Sequence, residues 1–167
     1  GEAGFQDGDA SAARFGEPVA VAIDETGAVL VVDRDNHRIR QITRARPPGP
    51  AATGAVGGAQ EHMPDECKTI AGSGQSGFQD GDAGDARFDR PFGIAVDTDG
   101  SYLVADNYNH RIRKIDRGSG RVTTVAGSGE AGFQDGDASA ARFGEPVAVA
   151  IDETGAVLVV DRDNHRI

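Results

Sequence analysis

The feature that most constrains this chain is its internal repetition. The heptad Gly-Phe-Gln-Asp-Gly-Asp-Ala begins at Gly4, Gly77 and Gly132, and residues 1–39 are identical at every position to residues 129–167. The interval from the first heptad to the second is longer than the next. The extra length lies between Thr43 and Lys68, in RARPPGPAATGAVGGAQEHMPDEC. Self-similarity on this length scale belongs to solenoids, propellers and arrays, in which each repeat is one small supersecondary unit.

The middle copy, residues 72–126, shows what the unit is. Four short apolar or alternating runs follow a Gly/Asp-rich lead-in: FGIAVD (92–97), SYLVAD (101–106), HRIRKI (110–115) and RVTTVA (121–126). Turn chemistry separates them, at Asp99-Gly100, Asn107-Tyr108-Asn109 and Gly118-Ser119-Gly120. Four strands joined by tight turns make a meander, and a meander repeated along the chain is a propeller blade. The same pattern places strands at 18–24, 28–33, 37–42, 66–71, 147–152 and 156–161. The chain then divides into a blade at 1–71 with a Pro/Gly/Ala-rich loop inserted at 44–65, a blade at 72–126, and a partial blade at 127–167.

Local chemistry refines this picture. Asp9 is placed to N-cap one helical turn reaching Arg14, and Phe5 and Phe15 are the only large apolar residues of the lead-in, suited to staple it over the space between blades. The run PVAVAID (18–24) is apolar on both faces, as in a strand sandwiched between sheets, and Pro18 opens it where no ladder N–H is needed. Its alanines and the matching Gly93 suit the crowded centre of a propeller. In the turn after the second strand, Asp33 is expected to accept turn N–H groups and Asn36 to adopt a left-handed conformation.

These residues resemble the NHL repeat, named for an Asn-His-Leu type triplet after the second strand. The triplet here reads Asn36-His37-Arg38, Asn109-His110-Arg111 and Asn164-His165-Arg166, each after an aspartate: Asp33, Asp106 and Asp161. The resemblance covers nearly all of the chain outside 44–66. It implies an all-β fold, a β-propeller built of four-stranded antiparallel NHL blades. It leaves function open, since the family includes ligand binders, RNA binders, adhesion modules and a few enzymes. Recurrence of the motif in every blade points to a structural role, because a catalytic site needs one copy with distinctive neighbours.

Charge narrows the function classes. Seventeen basic residues face 27 acidic ones, for a net charge of −10. RNA-binding relatives need a basic face to neutralise phosphates, so nucleic acid is not an expected partner. Cys67 is the single cysteine, so no intrachain disulfide can form; it takes the place of Val122 in the fourth strand, as a small buried apolar side chain would. No run approaches the roughly 20 apolar residues of a membrane-spanning helix. The loop with Pro47, Pro48, Pro50 and Thr53 is an expected interaction or modification arm at the outer rim, and an extracellular setting is preferred over a cytoplasmic one.

The other motifs read first as turn or core features. Gly72-Gly74-Gly77 and Gly127-Gly129-Gly132 match G-x-G-x-x-G, but no long helix follows, so the dinucleotide fingerprint lacks its context. Asp97-x-Asp99-Gly100 resembles half of a calcium loop, whose twelfth position is Tyr108 instead of Glu. The Gln-Asp-Gly-Asp segments are the remaining candidates for calcium, through Asp7, Asp9, Asp80, Asp82, Asp135 and Asp137. His37, His110 and His165 sit in separate blades, and His62 with Cys67 supplies two zinc ligands where a site needs more. No catalytic residue or cofactor is assigned.

The expected function is a non-enzymatic scaffold or interaction module, partnered by other copies of the same blades or by protein ligands. A propeller-type lyase or hydrolase and a calcium- or small-ligand-binding propeller are the alternatives. Closure takes about 4–8 blades, so the chain reads as a window on a longer array or as one unit of a homo-assembly, closed or filamentous. Val19, Val21, Ile23, Val29 and Val31 are expected to lack a partner sheet on one side.

Overall fold

The computed structural model of the chain describes residues 3–44 and 65–167. The expected arm residues Pro47, Pro48, Pro50 and Thr53 lie outside the described residues. The fold is all-β, in three antiparallel sheets that follow the sequence repeats. The first sheet holds β1 (Gly8–Asp9), β2 (Pro18–Ile23), β3 (Val29–Asp33), β4 (Arg38–Thr43) and β5 (Glu66–Ala71), in the order β1-β5-β4-β3-β2. The second holds β6 (Gly81–Asp82), β7 (Pro91–Val96), β8 (Tyr102–Asp106), β9 (Arg111–Ile115) and β10 (Arg121–Ala126), in the order β6-β10-β9-β8-β7. The third pairs β11 (Pro146–Ile151) with β12 (Val157–Asp161). These sheets are called blades 1, 2 and 3 below.

Every strand expected from the sequence is present, with its ends within one residue of expectation. The short strands β1 and β6 were not expected. Gly8 and Asp9 pair with Cys67 and Glu66, and Gly81 and Asp82 pair with Val122 and Arg121. Each lead-in thus adds a fifth, outermost strand to its own blade. The expected helical turn is absent. After Asp9 the chain makes a turn in which Ala12 N–H donates to Asp9 O at 2.9 Å, and Ser11 N–H and Oγ both bond Asp9 Oδ1. Asp9 does cap this turn, but the chain leaves it at Arg14 to pair with Gln6 instead of continuing as helix.

The blades stack because strand side chains alternate between faces. Tyr102 and Val104 of β8 point toward blade 1, where they share one core with Leu30, Val32 and Ile39. Leu103 and Ala105 point the other way, into a second core with Val149 of blade 3. The lead-in of blade 2 threads between blades 1 and 2, and its Ala86 and Phe88 are fully buried in the first core. Phe88 therefore staples the blades, as expected of its counterpart Phe15. The outer phenylalanines differ. Phe5, Phe78 and Phe133 stay roughly half exposed and serve as platforms for arginines.

Identical residues in two settings measure what a neighbouring blade contributes. Leu30 and Val32 are 0% exposed beside blade 2; their copies Leu158 and Val160, on the free side of blade 3, are 46% and 36% exposed. Conversely, Val149 is 8% exposed against blade 2, and its copy Val21, on the free side of blade 1, is 66% exposed. The sandwiched character expected of β2 is therefore realised in β7, which has a blade on each side. Val21 and Ile23 lack a partner sheet as expected. Val31 does not behave so: it is buried, because it lies beside Arg40, which the lead-in covers.

The inner strands come close enough to require glycine. A Cβ on Gly93 would lie 2.7 Å from Ala148 Cα and 2.8 Å from Val147 O, both backbone atoms that cannot swing away. Gly93→Ala is expected to lower stability by about 1–3 kcal/mol, the usual range for overpacking. Urea unfolding with an unchanged slope and an earlier midpoint would show it.

Candidate functional site

The recurring polar residues converge on one buried network per blade. In blade 2 its centre is Arg113, whose side chain is fully buried. Its Nη1 donates to Asp106 Oδ2 at 2.6 Å and to Arg87 O at 3.1 Å. Its Nε and Nη2 both reach Asp80 Oδ1, at 3.0 and 2.6 Å, and Nη2 also bonds Gln79 O at 2.8 Å. The planar fork of donors on a guanidinium is what lets one side chain serve two carboxylates and two carbonyls.

Both carboxylates pass the restraint on. Asp106 Oδ1 accepts the backbone N–H of Asp89, and Oδ2 also accepts Asn109 Nδ2, each at 2.8 Å. Asn109 in turn donates to Gly77 O. Asp80 Oδ2 accepts Thr124 N–H of β10 at 3.0 Å. Blade 1 repeats the set with Arg40, Asp33, Asp7, Asn36 and Thr69. In blade 3, Asp161 accepts the Gly144 and Glu145 N–H groups and Asn164 Nδ2, and Asn164 also bonds Gly132 O. Burial pushes the Asp106 carboxyl up to about 6, against the pull of Arg113, Asn109 and the Asp89 amide.

Two local expectations are corrected. Asp33 does not accept the N–H groups of its own turn; it reaches back to Gly16, because the turn closes as a 3-10 helix, Arg34–Asn36, on its own backbone. The left-handed residue is the histidine, not Asn36: His37, His110 and His165 have φ of 52°, 54° and 54°. Histidine is among the residues that tolerate this region, while Asn36 holds Asp33 and Gly4 O with its side chain. The three histidines sit in separate blades. His110 Nδ1 donates to Gly144 O at 2.5 Å, and His37 Nδ1 accepts the Arg90 N–H at 3.3 Å, so each touches the following blade or its lead-in.

Arg38 and Arg111 explain the G-x-G-x-x-G matches, a role the sequence pattern alone had not revealed. Arg38 lies over the Phe5 ring at 3.8 Å and Arg111 over Phe78 at 3.9 Å, and Arg166 over Phe133 repeats the pair at 4.0 Å. Arg38 Nη2 bonds Ser73 O, and Arg111 Nη2 bonds Ser128 O. A Cβ on Gly74 or Gly129 would fall inside the guanidinium, and both glycines have left-handed φ, 87° and 90°. The glycines seat an arginine.

The Gln-Asp-Gly-Asp carboxylates are dispersed. Asp7 and Asp80 are bound to Arg40 and Arg113, Asp9 to Ser11, and Asp82 faces Arg121 at 3.8 Å. Asp135 lines a groove on blade 3, and Asp137 caps a turn through its carbonyl. Among the described residues no three of His, Cys, Asp and Glu come together as a metal would need. Burial raises the Cys67 thiol above its ordinary value. Among the described residues no helix is long and apolar enough to cross a membrane.

The half calcium loop is occupied by a lysine. Lys114 Nζ bonds Asp97 at 2.9 Å and Asp99 at 2.6 Å, and with the Ser101 amide it holds Asp99 down at about 2.

Comparison with known proteins follows this geometry. A family model described as the Teneurin NHL domain matches residues 3–116, and the NHL repeat model matches residues 143–167. NHL repeat-containing protein 2 of Bos taurus is 30% identical over 161 residues, 93% of this chain and 21% of that protein. SUPPRESSOR OF QUENCHING 1, chloroplastic, of Arabidopsis thaliana is 40% identical over 91 residues, 54% of this chain and 9% of that protein. The chain thus spans about a fifth or less of these relatives. A structural genomics protein from Bacteroides thetaiotaomicron superposes with a TM-score of 0.68 at 26% identity, covering 84% of this chain and 31% of that one. An auxiliary nutrient binding protein from Bacteroides ovatus gives 0.70 at 23% identity, covering 87% and 35%, and agrees in fold.

Two outcomes follow. Arg113→Lys is expected to cost about 3–5 kcal/mol, the range for breaking a buried pair, because a single ammonium cannot replace the fork; chemical denaturation measures it, and a near-neutral result would reduce the network to charge alone. Lys114→Met should return Asp99 toward 3.8, read by carboxyl NMR titration. The sign is that of a depressed acid: its stabilising contribution is present above pH 3.8 and is lost as pH falls through about 2.

Proposed function

The chain belongs to the NHL-repeat family, and on that premise we propose that it works as a non-enzymatic interaction module, a scaffold whose blade faces are its binding surfaces. One observation carries this reading. The recurring Asp–Asn–Arg sets bond inside the blades that contain them, by the same bonds in blades 1 and 2, while His37, His110, Arg38 and Arg111 bond the lead-in of the next blade. Among the described residues, blade faces are apolar surfaces that a neighbour covers: Leu30 and Val32 of blade 1 are fully buried beside blade 2, and Val149 of blade 3 is nearly so. A catalytic reading needs a polar group that differs from its copies in other blades, and the Asp–Asn–Arg sets do not differ.

The partners that fit are protein surfaces able to cover a blade face, other blades of this chain first among them. The net charge of −10 argues against nucleic acid. Of the carboxylates suggested for calcium, Asp7, Asp80 and Asp82 face arginines and Asp9 is held by Ser11, while Lys114 holds Asp97 and Asp99 of the half calcium loop, and a cation would have to displace those.

Sedimentation velocity over a range of concentrations tests the proposal. Reversible species heavier than the 17.3 kDa chain are expected. Millimolar calcium or zinc should leave the thermal midpoint unmoved, since a ligand that binds only the folded state raises it in proportion to RT ln(1 + [L]/Kd). A stoichiometric, saturable rise with either ion, together with a strictly monomeric chain, would overturn the scaffold reading in favour of a ligand-binding propeller.

A further inference from the structure

We infer that the two junctions of blade 2 are keyed: each accepts a neighbour of the other blade kind and disfavours a blade of its own kind, and the Tyr102 hydroxyl seated on Asp24 is the principal key. The inference rests on the reading of blade faces as binding surfaces, and it names the partner that such a face fits.

The chain holds two kinds of blade. Blades 1 and 3 are one kind, identical over 1–39 and 129–167, and blade 2 is the other. Blade 2 therefore meets the same sequence on both sides, through two different faces. Asp24, in the turn between β2 and β3, is buried. Its Oδ1 serves its own turn, accepting the Thr26 and Ala28 N–H groups. Its Oδ2 accepts the Tyr102 hydroxyl across the junction at 3.1 Å, with Gln41 Nε2 beside it at 3.4 Å. Tyr102 is buried as well. Next to this pair, Glu25 of blade 1 bonds Arg117 of blade 2.

The second junction carries other residues at the matching positions. Asp97 corresponds to Asp24, but Lys114 replaces Gln41 and Val157 replaces Tyr102. Valine has no hydroxyl to give, and Asp97 does not depend on one: Lys114 of its own blade holds Asp97 Oδ2 at 2.9 Å. Residues far apart in the sequence thus change together, and each aspartate keeps a donor for its second oxygen. Thr98 stands in the place of Glu25. The other end of the strands differs too. Arg34 lies over the Phe92 ring at the first junction. At the second, Asn107 and Val147 take those places, and Asn107 donates to Pro146 O at 3.1 Å.

Like-on-like stacking breaks these matches. If a blade of the first kind follows another, valine faces Asp24, and a buried carboxylate oxygen loses its hydroxyl donor. If a blade of the second kind follows another, the buried Tyr102 hydroxyl meets an aspartate already held by lysine, and Arg117 meets threonine. Sterics act in the same direction. The first kind carries alanine where blade 2 has Gly93, and at the second junction a Cβ there would lie 2.7 Å from Ala148 Cα.

A double-mutant cycle in the full chain tests the key, read as the unfolding equilibrium constant from urea denaturation. Tyr102→Phe removes only the hydroxyl and should raise that constant about tenfold. Gln41→Lys gives Asp24 the holder that Asp97 already has. It should recover most of the loss in the Tyr102→Phe background and shift the wild type by less than about threefold. Equal effects of Gln41→Lys in both backgrounds, or a Tyr102→Phe chain as stable as the wild type, would overturn the key. A second chain tests the choice of neighbour. Phe92→Val, Gly93→Ala, Tyr102→Val and Asn107→Arg together give blade 2 the residues of the other kind, and this chain should unfold at clearly lower urea. A wild-type midpoint would show that a blade face takes either kind and would overturn the inference. If that chain does not fold, the cycle still decides. Neither failure touches the module reading, which sedimentation velocity and the metal titration decide separately.

Discussion

The structure depends on a charge placed where charges are least welcome. Arg113 and Arg40 sit fully buried in the middle of blades 2 and 1. Each is tolerable only because every direction of its fork meets an oxygen: two carboxylates and two backbone carbonyls. The Arg113 partners come from different parts of the blade. Asp106 ends the second strand, Asp80 precedes the short outer strand, and Gln79 and Arg87 flank the lead-in. One residue thus joins the inner hairpin, the lead-in and, through the Asp80 bond to Thr124, strand β10. A buried ion pair is weak evidence of net stability. Its value here is register. Only one alignment of lead-in and sheet satisfies all the donors, and any slip leaves a charge unpaired.

The apolar contacts supply the driving force that this network directs. Alternation along β8 sends Tyr102 and Val104 to one neighbour and Leu103 and Ala105 to the other, so a single blade joins two cores at once. The repeated segments make the dependence on neighbours visible without any substitution. Leu30 and Leu158 share their sequence surroundings, and one is fully buried while the other is 46% exposed. Burial in this fold is a property of position in the stack: a blade face is apolar whether or not a neighbour covers it.

The blades were legible in the sequence because period-2 runs and turn residues recur in every copy and each copy checks the others. The recurrence of Asp33, Asp106 and Asp161 marked them as structural, and the structure shows the bonds they make. Less legible was where those bonds go. Asp33 was expected to serve its own turn, but a partner seventeen residues away in the lead-in competes better, since the turn closes on its own backbone. The arginines of HRIRQI and HRIRKI read as ordinary strand charges, although Arg40 and Asp7 recur together as Arg113 and Asp80, a signal that could have paired them. The glycines of G-x-G-x-x-G carried no hint of an arginine seat, because the contact joins Gly74 to Arg38, a residue on another strand.

The claim that most needs testing is that the arginine makes lead-in, hairpin and β10 one cooperative unit. Residue-resolved hydrogen exchange under native conditions addresses it through two amides that the network holds from opposite ends, Asp89 N–H on Asp106 and Thr124 N–H on Asp80. If Arg113 couples them, both exchange through one opening with a common free energy, and Arg113→Met accelerates both by the same factor. Unrelated rates in the wild type, with only one of the two amides responding to the substitution, would contradict the account.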